Sequence, residues 1–450
     1  MEPSEEEWDR FSTYARRMRE ITEPLAFLPT KDAIRILSRR FSTAPILPLL
    51  RSLTWLFVPS ERLQSCVPLL VSPRLAHIRL HFGDNSPELC LPIIRTLIKA
   101  SGSLESVEIT PEFDRPEMQE AVSLLLLSCN PNLLHRFCVA SPISEAALLH
   151  AAQLPGPQEF SFRGGTPGLT EPLPPSVFPF LRTMLISMGG LPTWLEILRY
   201  VQSKHLIELS VDFITGGEGT LPALSSHLKH SGIHRTLTEL RLCPGEEWVL
   251  HGASIAPLLV LGQLTSLVIF ADCRGRQCVF SLSDRDIEHL VKAMPKLEVL
   301  SLGVPCSRQM GDDLTVKSLL AIATHCKTLI TLQTHINCDS IVMSTHECDA
   351  SGSPRSHARP DYDGCPLRSA IFGSCPVPMA GEGGIIVALT LLRLFPRLYD
   401  VQWHPFELMS PWFSVISTIG DHNLVRRKLA EFGGSIRISL RHWSHDTAAY

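Results

Sequence analysis

The stretch SDRDIEHLVKAMPKLEVLSLG, residues 283–303, contains a helix pattern followed at once by a strand pattern. Ser283 and Asp286 have the spacing of a capping box, in which each side chain bonds the other residue's backbone N–H at the start of a helix. Pro295 ends the helix, because proline restricts the residue before it to extended backbone. Four apolar residues between these limits fall on one face of the helix: Ile287, Leu290, Val291 and Met294.

The strand pattern begins two residues after the proline and has the form apolar-x-x-apolar-x-apolar. Its last positions alternate with polar residues, which is typical of a strand with one buried face. The pattern recurs along the chain at a mean spacing of about 32 residues, and a period of this length indicates a repeat architecture. The copies begin at Leu50, Leu75, Leu104, Leu134, Pro157, Leu181, Leu206, Leu237, Leu264, Leu297, Leu329, Leu398 and Ser435.

A single helix and strand of this length cannot bury their own apolar faces, so consecutive units must stack, each covering the next. This arrangement resembles the leucine-rich repeat solenoid. We therefore predict an α/β fold over residues 25–450, with a curved parallel sheet and helices on its convex side. The alternative is an ordinary doubly wound α/β domain, but its strands would be continuous apolar runs and would not share one spaced pattern.

The amino terminus, residues 1–24, differs from the repeats. Ser4 and Glu7 form a second potential capping box, and large apolar residues from Trp8 to Met18 follow at helical spacing with charged residues between them. Because the end of a solenoid needs a cover with a polar outer face, we predict an amphipathic capping helix. A helix that docks a partner is the alternative.

A second departure lies between the copies at Leu329 and Leu398, an interval about one repeat longer than the others. Residues 338–383 within it are poor in apolar side chains and rich in serine, proline, glycine and aspartate. Such composition cannot bury enough apolar surface to offset the entropy of ordering the chain. We therefore predict a disordered inserted loop over these residues.

Composition excludes several classes of function. The 450 residues include 41 basic and 45 acidic side chains, so the net charge of −4 supplies no strong positive field for nucleic acid or an anionic membrane. No apolar run approaches the roughly 18–20 residues of a membrane span. The first twenty residues are too charged for a secretory signal, and 13 cysteines, an odd number, indicate reduced and mostly buried thiols. We expect a cytoplasmic or nuclear protein without nucleic-acid or membrane partners.

Three motifs resemble catalytic or ligand sites, but each lacks a feature that such a site requires. His346 and Glu347 begin like a zinc-protease HExxH, but the fifth position is Ala350. The cysteines and histidines of residues 338–375 contain no CxxC pair, which structural zinc sites usually provide. The glycines of residues 381–384 follow a loop, whereas a phosphate-binding glycine motif follows a strand. We predict no catalytic, cofactor or metal site and no enzymatic activity.

The strand pattern also predicts which side chains face the concave surface. They lie just before the second apolar position, between the second and third, and just after the third. The resulting polar surface of mixed charge suits a protein partner better than a small molecule. Phe270 follows a third apolar position and is the predicted aromatic anchor. The other predicted partner-binding residues are His77, Arg79, His81, Glu208, Asp212, Glu239, Arg241, Gln333, His335, Gln402 and His404.

The order of these segments resembles a known family. An amphipathic helix WDRFSTYARRMREI (residues 8–21) precedes an irregular leucine-rich array, which opens with LPLLRSLTW (47–55) and later carries LSDRDIEHLVKAMPKLEVLSLG (282–303). This order is similar to the region after the F-box in the large fungal group of F-box proteins with leucine-rich repeats, and the resemblance covers essentially the whole chain.

The resemblance implies a function. In that family the F-box docks on a Skp-type adaptor of a cullin ubiquitin ligase, and the repeats select the substrate. It therefore implies a substrate-recognition component of an SCF-type ubiquitin ligase, with a Skp-type adaptor as partner only if an F-box lies upstream. The alternative is a leucine-rich repeat scaffold or regulatory binder without a ligase role.

Overall fold

A computed structural model shows two compact units, Met1–Leu206 and Ile207–Ala448, which we call the amino-terminal and carboxy-terminal units. It describes residues 3–22, 30–41, 44–55, 60–83, 87–111, 115–163, 178–188, 197–198, 201, 204–215, 220–246, 249–269, 279–303, 314–337, 365–372, 387, 390–391, 394–395, 397–398, 400–403 and 437–438.

The amino-terminal unit is a parallel sheet whose strands pair in sequence order, and its consecutive helices from α2 to α6 pack side by side. The strands are β1 (Glu20–Thr22), β2 (Ser52–Trp55), β3 (His77–Gly83), β4 (Ser106–Pro111), β5 (Arg136–Val139), β6 (Glu159–Arg163) and β7 (Thr183–Met188). The helices are α1 (Glu5–Ala15), α2 (Lys31–Arg40), α3 (Ser60–Leu70), α4 (Pro87–Ala100), α5 (Pro116–Ser128) and α6 (Glu145–Gln153).

The carboxy-terminal unit repeats this plan. Its main-sheet strands, all parallel and in sequence order, are β8 (Glu208–Thr215), β9 (Glu239–Glu246), β11 (Ser266–Ile269), β13 (Val299–Leu302), β14 (Thr331–Thr334), β15 (Ser369–Phe372), β16 (Asp400–Trp403) and β17 (Arg437–Ile438). Two further strands, β10 (Val249–His251) and β12 (Val279–Ser281), form a separate parallel pair. The helices are α7 (Thr220–His230), α8 (Gly252–Ile255), α9 (Asp284–Ala293) and α10 (Val316–His325).

These elements confirm the predicted α/β repeat fold. Each of the thirteen pattern copies has a strand of a main sheet where the sequence places it. The first apolar residue of nearly every copy is 0% exposed, as at Leu104, Leu237 and Leu297, because it lies between the sheet and the helix layer. The helix that begins after Ser283 has the predicted capping box and buries the predicted apolar face.

A ladder of hydrogen bonds joins successive repeats at the start of most strands. The carbonyl of Glu105, for example, accepts both the His135 and the Arg136 N–H, at 2.9 and 3.2 Å. Hydroxyl groups add to the ladder: Ser103 Oγ donates to the Leu75 carbonyl, and Thr328 Oγ1 donates to that of Leu297. Backbone groups that the helix–strand turns leave unpaired are satisfied in this way.

The prediction of a disordered loop over residues 338–383 was wrong for residues 365–372. This segment carries β15, which pairs with both β14 and β16. Leu367, Ala370 and Phe372 occupy the three apolar positions of the pattern and are buried. This copy was missed in the sequence because its second apolar position is alanine. The long interval between Leu329 and Leu398 therefore holds one more repeat.

The sheet also begins earlier than the sequence predicts. β1 lies within residues 1–24, which were assigned to the capping helix alone, and it pairs in parallel with β2. With three residues, β1 is too short to show the repeated apolar pattern. β1 is therefore identified by its backbone pairing with β2 and could not be predicted from its side chains.

Helix α1 caps this end as predicted. Ser4 and Glu7 form the capping box, and Trp8 is buried against Phe11 and Phe41 with ring centroids 5.9 Å apart in both pairs. The guanidinium of Arg40, in α2, lies 5.7 Å from the Trp8 ring centroid. Aromatic and cation–π contacts thus hold α1 against the next helix.

A carboxylate at the start of α9 joins this helix to α10. Asp284 accepts hydrogen bonds from the Thr315 backbone N–H at 2.8 Å, from the Thr315 hydroxyl at 2.6 Å and from the Ser318 hydroxyl. Thr315 is itself the N-cap of α10. The Asp284 side chain in α9 therefore fixes the position at which α10 begins.

We expect the substitution Asp284→Ala to lower the free energy of unfolding by about 1–3 kcal/mol, because it removes the acceptor of three partly buried donors. Asp32→Ala is the matched control: Asp32 pairs with Arg35 on an exposed face of α2, and its removal should cost less than about 0.5 kcal/mol. Urea unfolding measures both, and equal losses would contradict the role assigned to Asp284.

The seven cysteines that the structure describes are free thiols, and five of them are buried. For this part of the chain the prediction of mostly buried thiols is confirmed. Among the described residues, no helix has both the length and the apolar character to cross a membrane.

Candidate functional site

Alternation along β3 to β6 gives the sheet of the amino-terminal unit one buried and one polar face. In β3, Ile78 and Leu80 are 2% and 1% exposed, whereas the alternating residues His77 and Arg79 are exposed. The strands pair without a shift over this region, so equivalent polar positions stand in rows. One row contains His77, Ser106, Arg136 and Glu159, and the next contains Arg79, Glu108, Cys138 and Ser161.

Four residues in these rows form a chain of ion pairs, which we call the charge ladder: Arg79, Glu108, Arg136 and Glu159. Arg79 Nε lies 2.8 Å from Glu108 Oε1, and Arg136 Nη2 lies 3.3 Å from Glu108 Oε2. Arg136 Nε lies 2.9 Å from Glu159 Oε2. Opposite charges on neighbouring strands thus alternate across four strands, β3 to β6.

Histidines flank the ladder. Glu105 Oε2 lies 3.9 Å from Nε2 of His77 and 3.7 Å from Nε2 of His135. His81 Nδ1 and Thr110 Oγ1 are 2.5 Å apart, joining β3 to β4. The predicted residues His77, Arg79 and His81 therefore lie together on one face.

Two groups on this face, Arg136 and Cys138, have pKa values above their usual range. Partial burial lowers the pKa of Arg136, but its hydrogen bond to Cys138 and the charges of Cys138, Glu159 and Glu108 outweigh this and raise the pKa above its usual value. Burial, together with the charge of Glu159, raises the pKa of the Cys138 thiol to about 12. At neutral pH the face therefore carries a guanidinium and a protonated thiol.

The carboxy-terminal unit has a more acidic polar face. Glu208 and Glu239 stand side by side on β8 and β9, and Asp212 lies farther along β8. Arg241 Nη2 is 4.0 Å from Glu239 Oε2, the upper limit for an ion pair. These four predicted residues lie on adjacent strands of one sheet.

The remaining predicted site residues have mixed outcomes. Gln333 lies on the polar face and accepts a 2.8 Å hydrogen bond from the Ser301 hydroxyl. His335 does not offer its side chain to a partner: it is 3% exposed, with Nε2 2.8 Å from the Gly303 carbonyl. Gly303 has a backbone φ of +67°, a turn that places its carbonyl within reach of the imidazole. Gln402 is in β16, where its Cα pairs with Ile371, and Phe270 and His404 lie outside the described residues.

Glu108, Arg136 and Glu159 were missed as site residues. In the copies that begin at Leu104, Leu134 and Pro157, Glu108 lies between the second and third apolar positions, and Arg136 and Glu159 lie just before the second. The offset used for the other copies would have found them, but only strand pairing shows that they contact one another.

Among the residues that the structure describes, no group of three or more histidine, cysteine, aspartate or glutamate side chains could hold a metal ion. The candidate motifs at His346 and at residues 381–384 lie outside that part of the chain.

No protein-family model matches the chain, and a search of curated proteins finds no match. Among solved structures, the chain is similar to a chain in the crystal structure of the Rad7 and Elc1 complex in yeast. The two are 11% identical, the match covers 90% of this chain and 92% of that chain, and the TM-score is 0.45.

Proposed function

We propose that this chain is a non-enzymatic protein-interaction module that binds a partner through the polar faces of its sheets. The observation that supports the proposal best is the charge ladder. Polar groups of mixed charge, held in fixed rows by strand pairing, form a preorganised surface of the kind that protein interfaces use for orientation and specificity. Preorganisation lowers the entropy lost on binding.

More specifically, we propose a substrate-recognition component of an SCF-type ubiquitin ligase that works in the cytoplasm or nucleus. The support is the resemblance of the α1 helix and the repeat array to the region after the F-box in fungal F-box proteins with leucine-rich repeats. A Skp-type adaptor is then a partner through an F-box upstream of the repeats. A scaffold or regulatory binder without ligase activity is the alternative.

The adaptor test separates these two functions. The chain, extended by any coding sequence upstream of Met1, is co-expressed with a Skp-type adaptor from the same organism and purified by gel filtration. Co-elution of the adaptor is the result expected for a ligase component. An adaptor that elutes alone would overturn the ligase role and leave the scaffold.

A second experiment tests the interaction face itself. Arg136→Glu reverses a charge in the ladder, whereas Arg95→Glu reverses an exposed charge on helix α4 of the same unit. Proteins captured from a lysate of the source organism should be lost with Arg136→Glu and retained with Arg95→Glu. Equal capture by both variants would argue against this face.

A further inference from the structure

We propose that the charge ladder binds an acidic segment of a partner protein, rich in aspartate and glutamate, laid across β3 to β6. This inference rests on the proposed interaction function and names the chemistry of the partner.

The charged groups of the ladder lie at different depths below the surface. In the ladder, the side chains of Arg79 and Arg136 are 55% and 42% exposed, whereas those of Glu108 and Glu159 are 14% and 29% exposed. Each carboxylate therefore lies deeper than the guanidinium with which it pairs. A partner that approaches this face meets the cations first.

The histidines that flank the ladder show the same difference in exposure. His77 and His135 are 51% and 49% exposed, whereas Glu105, which lies between them, is 39% exposed. In each of these pairs the basic side chain is therefore more exposed than the carboxylate. A partner thus meets the two guanidiniums of the ladder before its carboxylates, although the chain as a whole has a net charge of −4.

The two guanidiniums keep N–H donors that the ladder contacts do not use, although Arg136 already pairs with two carboxylates. A guanidinium carries five N–H donors in a planar fork, and the contact of Arg79 with Glu108 uses Nε. Between the charged groups stand small residues, Ser106 on β4 and Ser161 on β6, which allow an extended peptide backbone to come close. At about 4.8 Å per strand, β3 to β6 spans about 14 Å, which four or five extended residues cover.

The carboxy-terminal unit supplies an internal contrast. Its face carries Glu208, Asp212 and Glu239 with Arg241 among them, so an acidic segment would be repelled there. Arg241 occupies the same position in its strand as Arg79 does in β3, between the second and third apolar residues. It is therefore the matched control for the ladder arginines.

The test uses a fluorescein-labelled oligoglutamate peptide of about twelve residues, and an oligolysine peptide of equal length, titrated with the full chain in fluorescence anisotropy. The glutamate peptide should bind at low ionic strength and weaken as salt is added, because these charges lie near the surface. Arg79→Gln and Arg136→Gln should each weaken it about tenfold, and Arg241→Gln should not. Circular dichroism melts verify that the variants are folded.

Two outcomes would overturn the proposal: equal or tighter binding of the lysine peptide, or the same loss of affinity with Arg241→Gln as with Arg79→Gln. Failure here is distinguishable from failure of the proposed function. If Arg136→Glu abolishes capture of proteins from lysate while oligoglutamate does not bind, the interaction module stands and the acidic partner is rejected.

Discussion

Replacing Phe160 with alanine is expected to lower the free energy of unfolding of the amino-terminal unit by about 3–5 kcal/mol, the range measured for large buried side chains. Phe160 is 0% exposed on the inner face of β6. Its ring centroid lies 6.0 Å from that of Phe137, 5.6 Å from Phe162 and 5.2 Å from Phe178. The substitution removes apolar burial and three ring contacts together, and the surrounding strands are too closely paired to fill the cavity.

Phe180→Ala is the matched control, because Phe180 is 52% exposed and stacks on His205 at 6.3 Å. Its loss should cost less than about 1 kcal/mol. Hydrogen exchange followed by mass spectrometry in urea measures the stability of peptides from β5 and β6 separately from the other unit. A difference below about 1 kcal/mol between the two variants would contradict the central role of this aromatic cluster.

The second large effect is chemical protection of the thiols. Burial raises the pKa of Cys129 and Cys326 to about 12, with the neighbouring Cys365 adding to the effect at Cys326. The reactive species is the thiolate, so a rise of the pKa from its usual value of 9.0 to about 12 lowers the thiolate fraction at pH 8 roughly a thousandfold. We expect both residues to resist iodoacetamide in the native protein and to react at an ordinary rate in guanidinium chloride.

Cys138 provides a further test, because it is partly exposed on the polar face and yet its pKa is also raised to about 12. Its Sγ lies 3.3 Å from Glu159 Oε1, and the carboxylate charge opposes the thiolate. Glu159→Gln removes that charge, so alkylation of Cys138 should become faster while that of Cys129 stays unchanged. Mass spectrometry of tryptic peptides reads both sites. Unchanged labelling of Cys138 would show that Glu159 does not govern this thiol.

Local patterns in the sequence were sufficient to predict the repeat fold. A capping serine, one apolar helix face, a proline and a spaced apolar strand recur along the chain, and each signal acts within a few residues. The helix after Ser283 and the strand after Leu297 therefore form where these signals place them. Where a signal is weak, as with Ala370 in β15, the strand forms because its neighbours on both sides supply backbone partners.

The site was less predictable. The pattern offset correctly identifies Arg79 as a polar-face residue, but it treats His335 in the same way, and that imidazole is buried against the Gly303 carbonyl. The position of a residue in the pattern predicts the direction of its Cβ atom. It does not predict the path of the turn that follows the strand. The Gly303 carbonyl that contacts His335 belongs to a residue with positive φ in the preceding repeat, and nothing near His335 in the sequence indicates this contact.

By itself the sequence determined the period, the alternation of helix and strand and the side of each strand that is buried, because these depend on interactions between residues close in the chain. The tertiary structure alone decided which charges meet. Glu108 and Arg136 are 28 positions apart. They meet because the parallel pairing of β4 with β5, about 4.8 Å apart, places Arg136 opposite Ser106, two residues before Glu108, so that the two side chains contact each other diagonally. The charge ladder, and the depth of its carboxylates below its guanidiniums, exist only once the repeats have stacked.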